Sequence, residues 1–150
     1  MPKKDNPFTY KHFIDQHLEA YSILKKKYPL PIDLFFVKAY LLGRIIELIL
    51  KTELILKGHT SSELRKKKIG SHNLEKLIKL LGFPDYYSIN PITYDTILHL
   101  NVFYNDKRYE YPQSDDVEIK NVSFLEEFIN LSINKLNFHL TSNKLLEYSS

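Results

Sequence analysis

The sequence predicts an all-α protein, a bundle of about five helices with a long second helix at its centre. Two observations carry this expectation. Apolar residues recur at three- and four-residue spacing through most of the chain, and sustained apolar/polar alternation is confined, weakly, to residues 109–119. The seven Pro and four Gly punctuate the periodic stretches rather than interrupt them.

A first helix is expected over about residues 9–28, where Tyr10, Phe13, Ile14, His17, Leu18, Tyr21, Leu24 and Tyr28 form one stripe. Pro29-Leu30-Pro31 ends it and turns the chain. The second helix is expected from Ile32-Asp33 to about Lys57, with Asp33 as cap and Gly58 as stop. It is apolar around most of its circumference, which places it at the centre of the bundle or in a subunit interface. His59 to Gly70 reads as a polar, basic connection. Ser71 then caps a short third helix over His72–Leu81, with Leu74, Leu77, Ile78 and Leu81 inward. Pro91 suits the first turn of a fourth helix carrying Tyr94, Ile97, Leu98 and Asn101 on one side. A long loop follows, with RYEYP and the acidic SDDVE. A last helix is expected over about residues 123–140, its inner stripe Leu125, Phe128, Ile129, Ser132, Leu136 and Leu140.

Length and composition bound the function classes. The 150 residues fit one domain, and 11 Tyr and 9 Phe give a core large buriable side chains. There is no Cys, so neither a disulfide framework nor a thiolate metal site is possible. No His-Glu-x-x-His and no Gly-rich phosphate loop is present, and no metal or cofactor is expected. The N-terminus lacks an apolar segment after Lys3 and Lys4, and the most apolar stretch, Leu34 to Leu56, is interrupted by Lys38, Arg44, Glu47, Lys51 and Glu53. The expectation is a soluble, cytoplasmic chain with no membrane span. Residues 1–80 hold 16 Lys+Arg against 8 Asp+Glu; residues 81–150 hold 5 against 10. The basic half suits a polyanion, and the plainer reading is mutual neutralisation of the two halves within one chain or a dimer.

Three stretches in order carry a family resemblance: AYLLGRIIELILKTELILKG, KIGSHNLEKLIKLLG and LHLNVFYNDKRYEYP. An apolar helix with an inner Glu and Lys, a Gly-x-His-x-Leu-like start and an Asn-x-x-Tyr…Arg-Tyr…Pro ending together resemble the HEPN family, the higher-eukaryote-and-prokaryote nucleotide-binding helical domains. The resemblance spans roughly residues 36–112. It implies a helical bundle, a homodimer, and a place among prokaryotic RNA- or nucleotide-associated proteins of defence or toxin–antitoxin systems, with a protein partner from such a pair. Active members cut RNA without a metal, using Arg-x4–6-His near the start of the last long helix. Here that helix contains no Arg, and Asn134 precedes His139.

Arg65 and His72 satisfy Arg-x6-His at a different place, ahead of the third helix. An imidazole can move a 2′-hydroxyl proton and a guanidinium can hold a phosphate, with Lys66, Lys67 and Lys68 drawing in the backbone. The plainer reading is a solvated linker and a helix cap. Arg44, Glu47 and Lys51 lie on one narrow arc of the second helix. They read as a polar stripe lining a groove for an anion, or as a ladder of local ion pairs. Asn101, Tyr104, Arg108, Tyr109 and Tyr111 mix a cation, an amide and aromatic rings, fit for a nucleotide or RNA contact or for pinning a loop. The rival to an RNA- or nucleotide-associated role is a non-catalytic helical scaffold or dimerisation module. A further alternative is an antitoxin-like subunit that presents its acidic half to a basic protein.

Overall fold

Asn6 opens the first helix by accepting the Phe8 N–H on its side chain at 2.9 Å, ahead of Pro7 at the first helical position. The computed structural model describes residues 6–30, 32–66, 68–82, 89–105 and 121–149, with backbone only for Phe103 and residues 143–149. Six helices follow in order: α1 Pro7–Lys27, α2 Phe35–Leu56, α3 Ser61–Leu64, α4 Leu74–Leu80, α5 Pro91–Asn105 and α6 Val122–Ser149. Among the described residues there is no strand; the weak alternation at 109–119 lies outside them. The all-α bundle expected from periodicity is present.

α2 is the central element, packed against α1, α3, α4, α5 and α6. Leu42, Ile45, Ile46, Leu48, Ile49, Leu50 and Leu54 are buried on every side of it. Each such side chain contributes roughly 1.5–3 kcal/mol by leaving water. The stretch from Leu42 to Leu54 is thus covered within a single chain, so its apolar excess needs no second subunit. α6 presents its expected stripe: Leu125, Phe128, Ile129, Ser132, Leu136 and Leu140 are all buried. On α1, Ile14 and Tyr21 face inward, whereas Phe13 is exposed.

Several boundaries differ from the sequence expectation. α2 starts at Phe35, after Leu34 in the left-handed region (φ 51°), and Asp33 does not cap it. Asp33 instead closes a turn, donating its N–H to the Leu30 carbonyl at 3.0 Å, and the Lys38 ammonium bonds the Tyr28 and Leu30 carbonyls across the α1–α2 corner. α3 is a single capped turn inside the expected basic connection, with Thr60 accepting the Glu63 N–H. α4 is capped by Asn73, not Ser71, because Ser71 adopts φ 50° to turn the chain. α6 continues past Leu140 to Ser149. Among the described residues no helix is long and apolar enough to cross a membrane.

Candidate functional site

The loop from Arg65 to Asn73 is held by its own backbone. The Gly70 N–H donates to the Lys66 carbonyl at 3.0 Å, the Ser71 N–H to Leu64 at 2.8 Å and the Asn73 N–H to Gly70 at 2.8 Å. Gly70 packs closely on the buried Leu77, whose Cδ2 would lie 2.4 Å from an added Cβ and would have to move. This loop carries His72 over α2.

There it meets Glu47, whose side chain is fully buried. Glu47 Oε1 accepts from His72 Nδ1 at 2.6 Å and from the Tyr104 hydroxyl at 2.8 Å. Oε2 accepts from Arg44 Nη1 and, at 3.4 Å, from Lys51 Nζ. Each carboxylate oxygen therefore has two donors, and the desolvation of a buried anion is offset by charge-assisted bonds from three elements. A carboxylate oxygen accepts, so Nδ1 of His72 carries a proton and donates it, and Nε2 is not engaged by Glu47. The His72 side chain is 58% exposed, so the imidazole is tethered at one nitrogen and open to solvent. Its ring stands edge-on to Tyr104, with centroids 6.4 Å apart.

The electrostatics follow from burial. Burial pushes the Tyr104 phenol above its ordinary value, and the Glu47 charge and hydrogen bond push it further. Burial also lowers the Lys51 ammonium; Glu47 opposes that shift, and the positive charges of Arg44 and Arg65 reinforce it. Burial would lower Arg44 as well, but the charge of Glu47 and the contact with Tyr104 leave it raised overall.

Three sets of residues that are separate in the sequence thus converge: Arg65 with His72, Arg44 with Glu47 and Lys51, and Tyr104. Arg65, Lys66 and Lys68 are exposed on the loop that carries His72. Lys67, Arg108, Tyr109 and Tyr111 lie outside the described residues. Asn101 is placed elsewhere. It is buried, its Oδ1 accepts the Leu74 N–H at 2.8 Å, and its Nδ2 donates to Asn73 Oδ1 at 3.1 Å. Its amide is used to fasten the start of α4 to α5. Tyr40 belongs to the site and is missing from the sequence reading; its ring lies 6.2 Å from Tyr104, and its hydroxyl acts on Arg44. The signal was present, because Tyr40 extends the Arg44–Glu47 stripe by one helical turn. His139 on α6 sits apart, with Nδ1 3.5 Å from Oε1 of the buried Glu53. Among the described residues no group of His, Asp and Glu is placed to hold a metal ion.

What the arrangement offers chemically is a fixed imidazole and a half-buried guanidinium around one buried carboxylate, with further cations beside them. Comparison with protein-family models, with curated proteins and with solved structures found no match.

Proposed function

We propose that the Glu47 cluster is a phosphate-recognition site and that the chain is an RNA- or nucleotide-associated, HEPN-like protein of the defence or toxin–antitoxin type. The observation that supports this is the buried Glu47 carboxylate bonded at once to Arg44, Lys51 and His72. A buried anion of this kind fixes the direction of its donors. Arg44 has five N–H donors and uses some on Glu47 Oε2 and on Tyr104, so the planar fork retains others for a phosphate oxygen. The exposed Arg65, Lys66 and Lys68 add sequence-independent attraction for a polyanion.

In this reading Glu47 orients His72 so that Nε2 faces the ligand. Metal-independent cleavage would then have His72 Nε2 take the 2′-hydroxyl proton as the 2′-oxygen bonds to phosphorus. The bond from phosphorus to the 5′-oxygen breaks, leaving a 2′,3′-cyclic phosphate, the 5′-oxygen takes a proton from water, and Arg44 and Arg65 balance charge on the phosphate. The resemblance supplies the homodimer and the toxin–antitoxin protein partner; the burial of Leu42 to Leu54 within one chain does not call for either.

The second reading is a non-catalytic scaffold, in which the same network only locks α2, the His72 loop and α5 together. It is favoured by the depth of Glu47 and Lys51, both buried. Binding of fluorescent single-stranded RNA across graded salt separates the two. A phosphate site gives affinity that falls steeply with salt, and a scaffold gives none. The same samples incubated with chelator report metal-independent cleavage.

A further inference from the structure

The face of α2 that carries Arg44 continues towards the start of the helix. There it shows Tyr40, 38% exposed, and Val37, 47% exposed. Spacings of three and four residues keep both on the side of Arg44 and Glu47. An exposed apolar strip therefore runs straight into the cluster built on Glu47.

The ring of Tyr40 is braced. Its centroid lies 6.2 Å from that of Tyr104, with the planes tilted by 45°. Tyr104 is itself held: it is 6% exposed, packs on Gly43 and donates its hydroxyl to Glu47 Oε1 at 2.8 Å. A braced ring offers contact area without the entropic cost of ordering a loose side chain.

The neighbours of the ring decide what it suits. Arg44 stands one turn along α2, and residues four apart on a helix have Cβ atoms about 5–6 Å apart. The exposed Arg65, Lys66 and Lys68 stand on the loop that brings in His72. An apolar peptide on the ring would strip water from these cations and give them no anion. A bare polyanion would use the cations and leave the ring idle. A nucleotide supplies both parts, a π face for Tyr40 and, one ribose away, a phosphate for Arg44.

We infer that Tyr40 is the base-stacking platform of this site, and that its ligand is an unpaired nucleotide with the base on Tyr40 and Val37 and the phosphate on Arg44. The inference rests on the phosphate-recognition reading of the Glu47 cluster and adds the part of the ligand beyond the phosphate. Every base has a π face, so the platform selects single strands over duplex without selecting a sequence. Bases paired in a duplex are stacked on each other and do not reach the ring.

The test compares two probes of equal length by fluorescence anisotropy at low salt: a single-stranded oligoribonucleotide, and the same ribose–phosphate chain without bases. The parent binds the first about tenfold more tightly. Tyr40→Leu keeps an apolar side chain at an exposed position. It binds the RNA about tenfold more weakly than the parent and the baseless chain equally well. Its salt slope on RNA is unchanged, because no phosphate contact is removed. Tyr40→Phe keeps the ring and matches the parent within about twofold. Circular dichroism confirms that each variant is folded, and the comparison of probes in the parent needs no variant. Salt-dependent binding by the parent that is equal for the two probes, or undiminished in folded Tyr40→Leu, overturns the platform and leaves the phosphate site standing. A loss in Tyr40→Leu that is as large on the baseless chain assigns Tyr40 to the positioning of Arg44 and also overturns it. Absence of binding by the parent to either probe overturns the platform and the phosphate site together.

Discussion

His72 Nδ1 donates to Glu47 Oε1 at 2.6 Å, joining residues 25 positions apart through a carboxylate that has no contact with solvent. The exposed imidazole is therefore oriented from beneath. Glu47 serves α2, the His72 loop and α5 at once, and its removal should be felt in all three.

Glu47→Ala leaves the buried Lys51 and the half-buried Arg44 without their counter-charge. The expected loss is about 3–5 kcal/mol of folding stability, read by urea denaturation. A loss below about 1 kcal/mol would mean that the network is solvated and carries little.

Tyr104 and Tyr21 set the alkaline limit. Both phenols are raised above their ordinary value of 10.0, chiefly by burial and then by Glu47 and Glu126 respectively. The unfolded chain ionises them near pH 10 while the folded chain does not. Their stabilisation is whole below that pH and is lost above it, at about 1.4 kcal/mol per pH unit for each tyrosine. Lys51 acts in the opposite sense: its folded value lies below 10.5, so stability rises as pH climbs towards 10.5. The decline should therefore steepen above about pH 10.5. In Tyr104→Phe it should be roughly half as steep, measured by denaturation at a series of alkaline pH values.

Gly43 lies under the Tyr104 ring, and an added Cβ would come 2.5 Å from Tyr104 Cδ2. Gly43→Ala should push the ring off Glu47 and cost about 1–3 kcal/mol. Spectrophotometric titration would then show a tyrosine ionising at lower pH than in the parent. An unchanged titration would show that the ring stays in place.

Asn101→Leu should cost about 1–3 kcal/mol, because the Leu74 N–H and the Asn73 side chain lose a buried partner. Amide exchange at the start of α4 should accelerate. RNA affinity of the folded variant should match the parent, since Asn101 faces α4 rather than the Glu47 cluster.

The sequence made the helices legible because their stripes are regular; every residue of the α6 stripe from Leu125 to Leu140 is buried as its spacing requires. Caps were less legible. Ser71 and Asn73 are both good capping residues, and only the left-handed turn at Ser71 decides between them. The Arg44–Glu47–Lys51 arc was visible because helical spacing defines it. His72 and Tyr104 could not be joined to it in advance, since 25 and 57 positions separate them from Glu47 and no local pattern encodes such contacts. Asn101 misled for the same reason: an amide beside aromatic residues reads as a ligand contact until its partner, the Leu74 N–H, is known.

The most direct measurement of the phosphate-site proposal is the salt dependence of single-stranded RNA binding by the parent chain, Arg65→Ala and Arg44→Ala, followed by fluorescence anisotropy. Arg65 is exposed, so its removal leaves the fold untouched. The account predicts binding that weakens with salt, and a slope of log affinity against log salt that is shallower by about 0.7 for each arginine removed. Absence of binding by the parent chain at low salt, or slopes identical in all three proteins, would contradict it.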